Sequence, residues 1–301
     1  MSGFDVINLA KLPAPAVIQA PSFEELLAEM KARAIEEMPE LEAYLVLESE
    51  PATKLLEVCA YFRVLDRAEF NDGARANMLA LATGTDLENL AAFWGVERLT
   101  VQVGDDTIDP PIPEILESDD ALRSRTQLSL EGHTTAGSRG AYTFHALSAD
   151  GTVKDVDVAS PTPGEVAITV LGHDGDGTPS AALLQTVTDA LSHEDVRPLT
   201  DLVTVAGATI LTYSVEAELT LYNGPDAALV LAAAEAAITT YVTDHHQLGH
   251  DIKLSGIYAA LHQPGVQGVD LIAPGADIAV ASTEAAHCAA APIITVGGRD
   301  V

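Results

Sequence analysis

The chain has 301 residues, 48% of them apolar, and its 45 acids against 15 bases give a formal charge of −30. That length suits two or three domains with buried cores, while the acid surplus argues against nucleic acid and against anionic membranes, which both need a basic surface. No run approaches eighteen uninterrupted apolar residues, and no basic start precedes an apolar stretch at the N-terminus, so neither a transmembrane helix nor a secretory signal is expected.

Residues 1–21 contain Pro13, Pro15 and Pro21 and read as an extended arm, either disordered or lying across a neighbouring subunit. A helical domain is expected over 22–99. Ser22 and Glu25 form a capping-box pattern, and Phe23, Leu26, Leu27, Met30 and Ala34 share a helical face that Pro39 ends. Pro51 opens the next helix, whose Leu55, Val58, Cys59, Phe62 and Leu65 recur at helical spacing and are expected to form its buried face. Cys59 and Cys288 are far apart, and no disulfide is expected. Asn71-Asp72-Gly73 is expected to interrupt, Met78 to Ala82 to carry a second helix to Gly84, and Thr85 or Asp86 to cap a third. Leu87, Leu90, Ala91 and Trp94 would be its buried side, and Gly95 its end.

The proline- and aspartate-rich stretch 100–117 reads as a linker, and 118–150 as a helical connector with Leu122, Leu128 and Leu130 for packing, a turn at 134–139 and a short helix through Tyr142. The period then changes. Val156 and Val158, then Val166, Ile168 and Val170, alternate as strands; Ser180–Ser192 is a helix, and Val203 and Val205 a third strand, giving a β-β-α-β unit over 151–208. Over 209–301 a long strand from Ile210 to Tyr222 precedes an alanine-rich helix, a short helix at Gly256–His262, and strands at 266–272, 278–281 and 293–296. The fold class is therefore α+β: a helical N-terminal part followed by two small α/β sandwich-like units, β-β-α-β and β-α-α-β-β.

Signals for chemistry are incomplete. Gly175-x-Gly177 lies between a strand and a helix, where phosphate loops occur, yet it lacks the remaining glycines and the lysine, and Asp174 and Asp176 would repel phosphate. Read as a calcium loop, it has Pro179 at position six and Gln185 at position twelve, where glycine and glutamate are required. His246 and His250 are the best metal candidates at i, i+4, but Gly249 lies between them; histidines here also suit the negative end of a helix. No catalytic residue and no cofactor are expected. The competing reading is an α/β enzyme using the 172–179 loop or the 244–251 histidines on phosphate or metal.

Ordered strings along most of the chain resemble one family. They are Glu57–Arg67, Asn71, Ala74-Arg75, Ala82–Leu87, Gly95–Arg98, Asp119-x-x-Leu122-Arg123, Gly140-Ala141-Tyr142, Ala146–Ala149, Ser160–Gly164, Asp176-Gly177 and Arg197–Asp201. Together they resemble the baseplate J-like proteins, wedge subunits of contractile phage tails and phage-tail-like bacteriocins. The resemblance implies a structural protein of the particle's baseplate, assembled in the bacterial cytoplasm. Its partners would be other copies of itself, a second wedge protein, and central hub or sheath-initiating proteins, with no nucleic acid and no membrane insertion. The wedges would join into a six-fold ring that rearranges to release sheath contraction. Arg63, Arg67, Arg75, Asp86, Trp94 and Arg98 are the interface candidates.

Overall fold

A computed structural model describes residues 7, 9, 12–13, 15–134, 137–224 and 226–300. The chain divides into two compact units, Met1–Glu97 and Arg98–Val301.

The first unit is helical. In helix α1 (Phe23–Glu37), Ser22 Oγ accepts from Glu25 N at 3.1 Å while Glu25 Oε2 accepts from Ser22 N at 2.9 Å, so the capping box is complete. Pro39 starts a single 3-10 turn, and the four-residue α2 (Glu42–Leu45) follows. Helix α3 (Pro51–Ala76) runs unbroken through Asn71-Asp72-Gly73, where an interruption was expected. Asn71 is buried and bonds to the Gln19 backbone, and this tertiary partner outweighs its weak helix preference. Residues 79–81 form turns and not a second helix. Gly84 adopts the left-handed backbone (φ 54°) but opens α4 (Gly84–Ala92), with Thr83 at the N-cap instead of Thr85 or Asp86. Gly95 (φ 72°) closes α4 as expected, letting Val96 N reach Ala91 O.

The second unit begins with a two-stranded antiparallel ribbon, β1 (Thr100–Gln102) with β2 (Ile115–Leu116). The expected linker is thus a ribbon, extended by a bridge between Asp105 and Ile112. Helices α5 (Asp119–Gly132) and α6 (Arg139–Ala149) have Ser118 and Ser138 as N-caps. They pack closely: a Cβ on Gly132 would lie 2.2 Å from the Phe144 ring. Leu122 and Leu128 are buried but Leu130 is exposed. The turn expected at 134–139 falls partly outside the described residues.

Next come β3 (Val153–Ala159), β4 (Glu165–Gly172), α7 (Ala181–Ser192) and β5 (Leu202–Gly207). The sheet order is β3-β4-β5, with β4 antiparallel to β3 and parallel to β5. A crossover through α7 makes the parallel pair possible. Val156, Val158, Val166, Ile168 and Val170 pack with Leu183, Val187 and Leu191 of α7 and with Tyr142 and Ala146 of α6.

The remaining module holds β6 (Thr209–Tyr213), β7 (Glu216–Tyr222), α8 (Ala227–Asp244), α9 (Leu254–Leu261), β8 (Val266–Ala273), β9 (Glu284–Cys288) and β10 (Ile293–Asp300). One long strand was expected over 210–222. The chain instead leaves β6, paired with β9, and enters β7, the centre of a β10-β7-β8 sheet. The two-residue link Ser214-Val215 preserves parity, so Tyr213, Val215, Ala217, Leu219 and Leu221 are all buried and the sequence alternates straight across the break. Strand β9 was missed because Glu-Ala-Ala-His-Cys lacks β-branched residues. The strand expected at 278–281 is only a bridge between Ile278 and Ile252. Helix α8 is long and apolar enough by composition to cross a membrane. Here its Val230, Ala234 and Ile238 pack into the module's core with Ile257 and Leu261 of α9. The architecture is α+β.

Candidate functional site

Helix α3 buries a side made mostly of small and polar residues. Thr53, Ala60 and Asn71 are buried, with Val64 and Arg67 half-buried on the same side, facing α1. The stripe expected to be buried points outward: Leu55 is 68% exposed and Phe62 57%, with Val58, Cys59 and Leu65 beside them. Apolar periodicity picks out the stripe with the large side chains, which here is the outward one, while small and polar residues form the side that packs at home. Phe93 and Trp94 are also exposed, their rings edge to face at 5.4 Å, so Trp94 is not on the buried side of α4. Neither of the two large apolar clusters lies in this unit, whose buried set is sparse.

Among the interface candidates, Arg63 and Arg67 line a groove of about 410 Å³ with Arg33, Glu29, Leu26 and Met30. The Arg67 guanidinium lies 5.6 Å from the Phe70 ring centroid, over its face. Arg75 pairs with Asp72 at 3.0 Å, and Asp86 stands exposed in the first turn of α4. Arg98 differs from the rest. Its side chain is 10% exposed and donates to Glu117 O at 2.6 Å and to Asp119 Oδ1 at 2.7 Å, an internal role.

Glu117 is the hub of that internal network. Its carboxylate accepts from Arg125 Nε at 2.7 Å and Nη2 at 2.6 Å, a bidentate pair with both side chains buried, and from Leu99 N at 3.2 Å. Arg125 also donates to Ser148 Oγ at 3.2 Å. Leu99, Glu117 and Arg125 line a cavity of about 330 Å³ that extends to Lys154, Asp155, His173 and Gln247. No motif points to it, since its members come from five separate segments.

The glycine loop after β4 is closed on itself. Gly172 N donates to Gly177 O at 2.8 Å, and Asp176 Oδ1 accepts from Thr178 N at 3.0 Å. The Thr178 side chain and then that backbone bond hold the exposed Asp176 carboxyl below its usual range. The loop's acidic groups and internal bonds do not form a phosphate cradle.

His246 and His250 do not share a helical face, because α8 ends at Asp244 with His245 as its C-cap. His245 Nδ1 lies 3.0 Å from Tyr241 O, and its ring stacks on Tyr241 at 4.0 Å. His250 is exposed. His246 turns the other way, into the contact between the two α+β modules, where its Nδ1 lies 3.1 Å from Lys154 Nζ. Burial, Lys154 and His287 push its imidazole down to about 4. Among the described residues, no group of three or more His, Cys, Asp or Glu is placed to hold a metal ion. Cys288 Sγ donates to Ala290 O at 3.1 Å, and burial raises its thiol above the usual range, so it is not an activated nucleophile.

Against known proteins, three family models match in order. They are the baseplate J-like N-terminal domain over residues 48–105, the central domain over 134–207 and the C-terminal domain over 213–294. The chain is also 47% identical over 300 residues to "Baseplate protein J" of Escherichia phage P2, an alignment spanning 98% of this chain and 99% of that one. With this succession of domains and an end-to-end relative, the chain belongs to the baseplate J-like family.

Proposed function

We propose that this chain is a structural subunit of a contractile-tail baseplate, a wedge protein that acts through its contacts and not through catalysis. The reading draws on the family and on its relative's name. The observation that carries it is the outward stripe of α3, Leu55, Val58, Phe62 and Leu65, standing exposed on a unit with a sparse core. Large exposed apolar patches mark interaction sites. In this reading the helical domain, 22–99, packs against a second copy and a second wedge protein. The α+β domains, 151–208 and 209–301, join neighbouring wedges around the hub and the sheath-initiating proteins. The assembled ring switches between two packings to release the sheath. The protein works in the particle after assembly in the bacterial cytoplasm.

The test is to make particles with Leu55→Glu/Phe62→Glu in place of the native chain and image them. Expected are tails without baseplates, with the variant chain folded and left free. Normal baseplates carrying the variant would overturn the role assigned to this face. Absence of the native chain from baseplates would overturn the whole reading.

A further inference from the structure

The two α+β modules meet at a small polar joint. Lys154 and Asp155 of β3, and the loop after β4, hold the segment His246–Leu248 that follows α8. Lys154 Nζ lies 3.1 Å from His246 Nδ1, and Leu248 N donates to Asp155 Oδ2 at 2.9 Å. His246 is 9% exposed, and its ring lies against Gly177, where a Cβ would come within 2.9 Å of Nε2. The same absent Cβ would meet Leu171 at 2.6 Å, so only glycine lets the imidazole seat.

The chemistry of the Lys154–His246 contact fixes the proton. An ammonium donates and cannot accept, so Nδ1 must offer its lone pair, and the neutral ring carries its hydrogen on Nε2, a buried atom with no hydrogen-bond partner among the described residues. A second proton would place an N–H against an ammonium. The groups facing His246 are mixed. Lys154 and, at 5.1 Å between ring centroids, His287 of β9 oppose its charge. Asp176 favours that charge. Burial holds Lys154 below its usual range, and Asp155 and Asp244 oppose that shift. His173, whose imidazole burial lowers, lies near Lys154, Asp174 and Glu117.

We propose that His246 is a proton-operated latch: when its Nδ1 is protonated, the bond from Lys154 is lost and the joint between the two α+β modules opens while each module's core stays folded. No other groups are needed for the step. The proton comes from solvent and settles on Nδ1.

The test is amide hydrogen exchange and imidazole NMR on the full chain from pH 7 to pH 4, with His246→Gln and, as a control, His193→Gln on the exposed end of α7. Intrinsic exchange rates are divided out. The Leu248 amide is expected to lose protection by on the order of a hundredfold across this range, following from the displaced His246 titration. Core amides of β4 and β7 should keep theirs. Glutamine accepts from Lys154 but does not titrate, so the loss at Leu248 in His246→Gln should be much smaller than in the native chain. Three results would overturn the latch: His246 titrating near 6.5, equal loss in His246→Gln, or core amides failing together with Leu248. Should the glutamine variant not fold, the native chain's His246 titration and the comparison of Leu248 with core amides still decide.

Discussion

The side chain of Asn71 grips the backbone of Gln19 with two hydrogen bonds: Nδ2 donates to the Gln19 carbonyl at 2.6 Å and Oδ1 accepts from its N–H at 3.2 Å. A helical asparagine thus imitates a neighbouring strand. Asn71→Ala is expected to cost about 2 kcal/mol, because two backbone groups lose their partners while helix propensity improves slightly. Urea denaturation should show the loss, and limited proteolysis should cut residues 15–21 faster. Unchanged cleavage there would remove the tether from the account.

The Glu117–Arg125 pair makes a sharper contrast between single and double variants. Glu117→Gln removes the negative charge from a buried bidentate pair and should cost about 3 kcal/mol in chemical denaturation. The double variant Glu117→Leu/Arg125→Met should recover most of that, since replacing a whole buried pair is commonly neutral or better. A double variant as weak as the single one would mean that the bonds to Leu99 and Ser148 carry the stability.

The two sides of α3 should respond oppositely. Phe62→Ala is expected to shift the stability of the free chain by less than about 0.5 kcal/mol, as for other exposed positions. Ala60, fully buried, allows no growth: Ala60→Leu should cost about 1–3 kcal/mol by overpacking. Thermal unfolding of the purified chain reads both.

Helical glycine usually invites replacement by alanine, with a gain of about 1 kcal/mol. Gly256 in α9 should reverse that sign. A Cβ there would lie 2.6 Å from the Tyr241 ring, which is held by stacking on His245 and by a hydrogen bond to Lys253 O at 3.3 Å. Gly256→Ala is expected to destabilise by about 1–2 kcal/mol net, measured by the denaturant midpoint.

Acid should weaken the chain through His246. Its folded value, about 4, lies below the ordinary 6.5, so the unfolded chain binds the proton first as pH falls. Stability from this group is complete above about pH 6.5, declines toward pH 4 and is flat below, for a total on the order of 3 kcal/mol. Denaturation midpoints at pH 7, 5.5 and 4.5 should fall in that order, with a shallower fall in His246→Gln.

Element by element, the sequence was most informative where a single period had a single meaning. The capping box at Ser22 and Glu25, the strands around Val156 and Ile168, and the helix from Ser180 follow local rules that tertiary contacts only reinforce. It misled where two outcomes share one pattern. The α3 sequence carries its large apolar residues on the outward side, so Leu55 and Phe62 read as core when the small Ala60 is the core. Parity hid the switch of sheets at Ser214-Val215. The sequence singles out His246 only as a metal candidate, and its joint with Lys154 cannot be read from it because the two are 92 positions apart.

The passage from β6 through Ser214-Val215 into β7 has a mechanical consequence. Two sheets drawing on one short run of backbone cannot be peeled apart separately. Tyr213 O accepts from Ala289 N and Val215 O from Ile293 N, so the return leg between β9 and β10 is stitched to the same few residues. A load on either sheet reaches the other within two peptide bonds. The C-terminal module should therefore melt as one cooperative block, yielding all at once instead of unravelling from its edge.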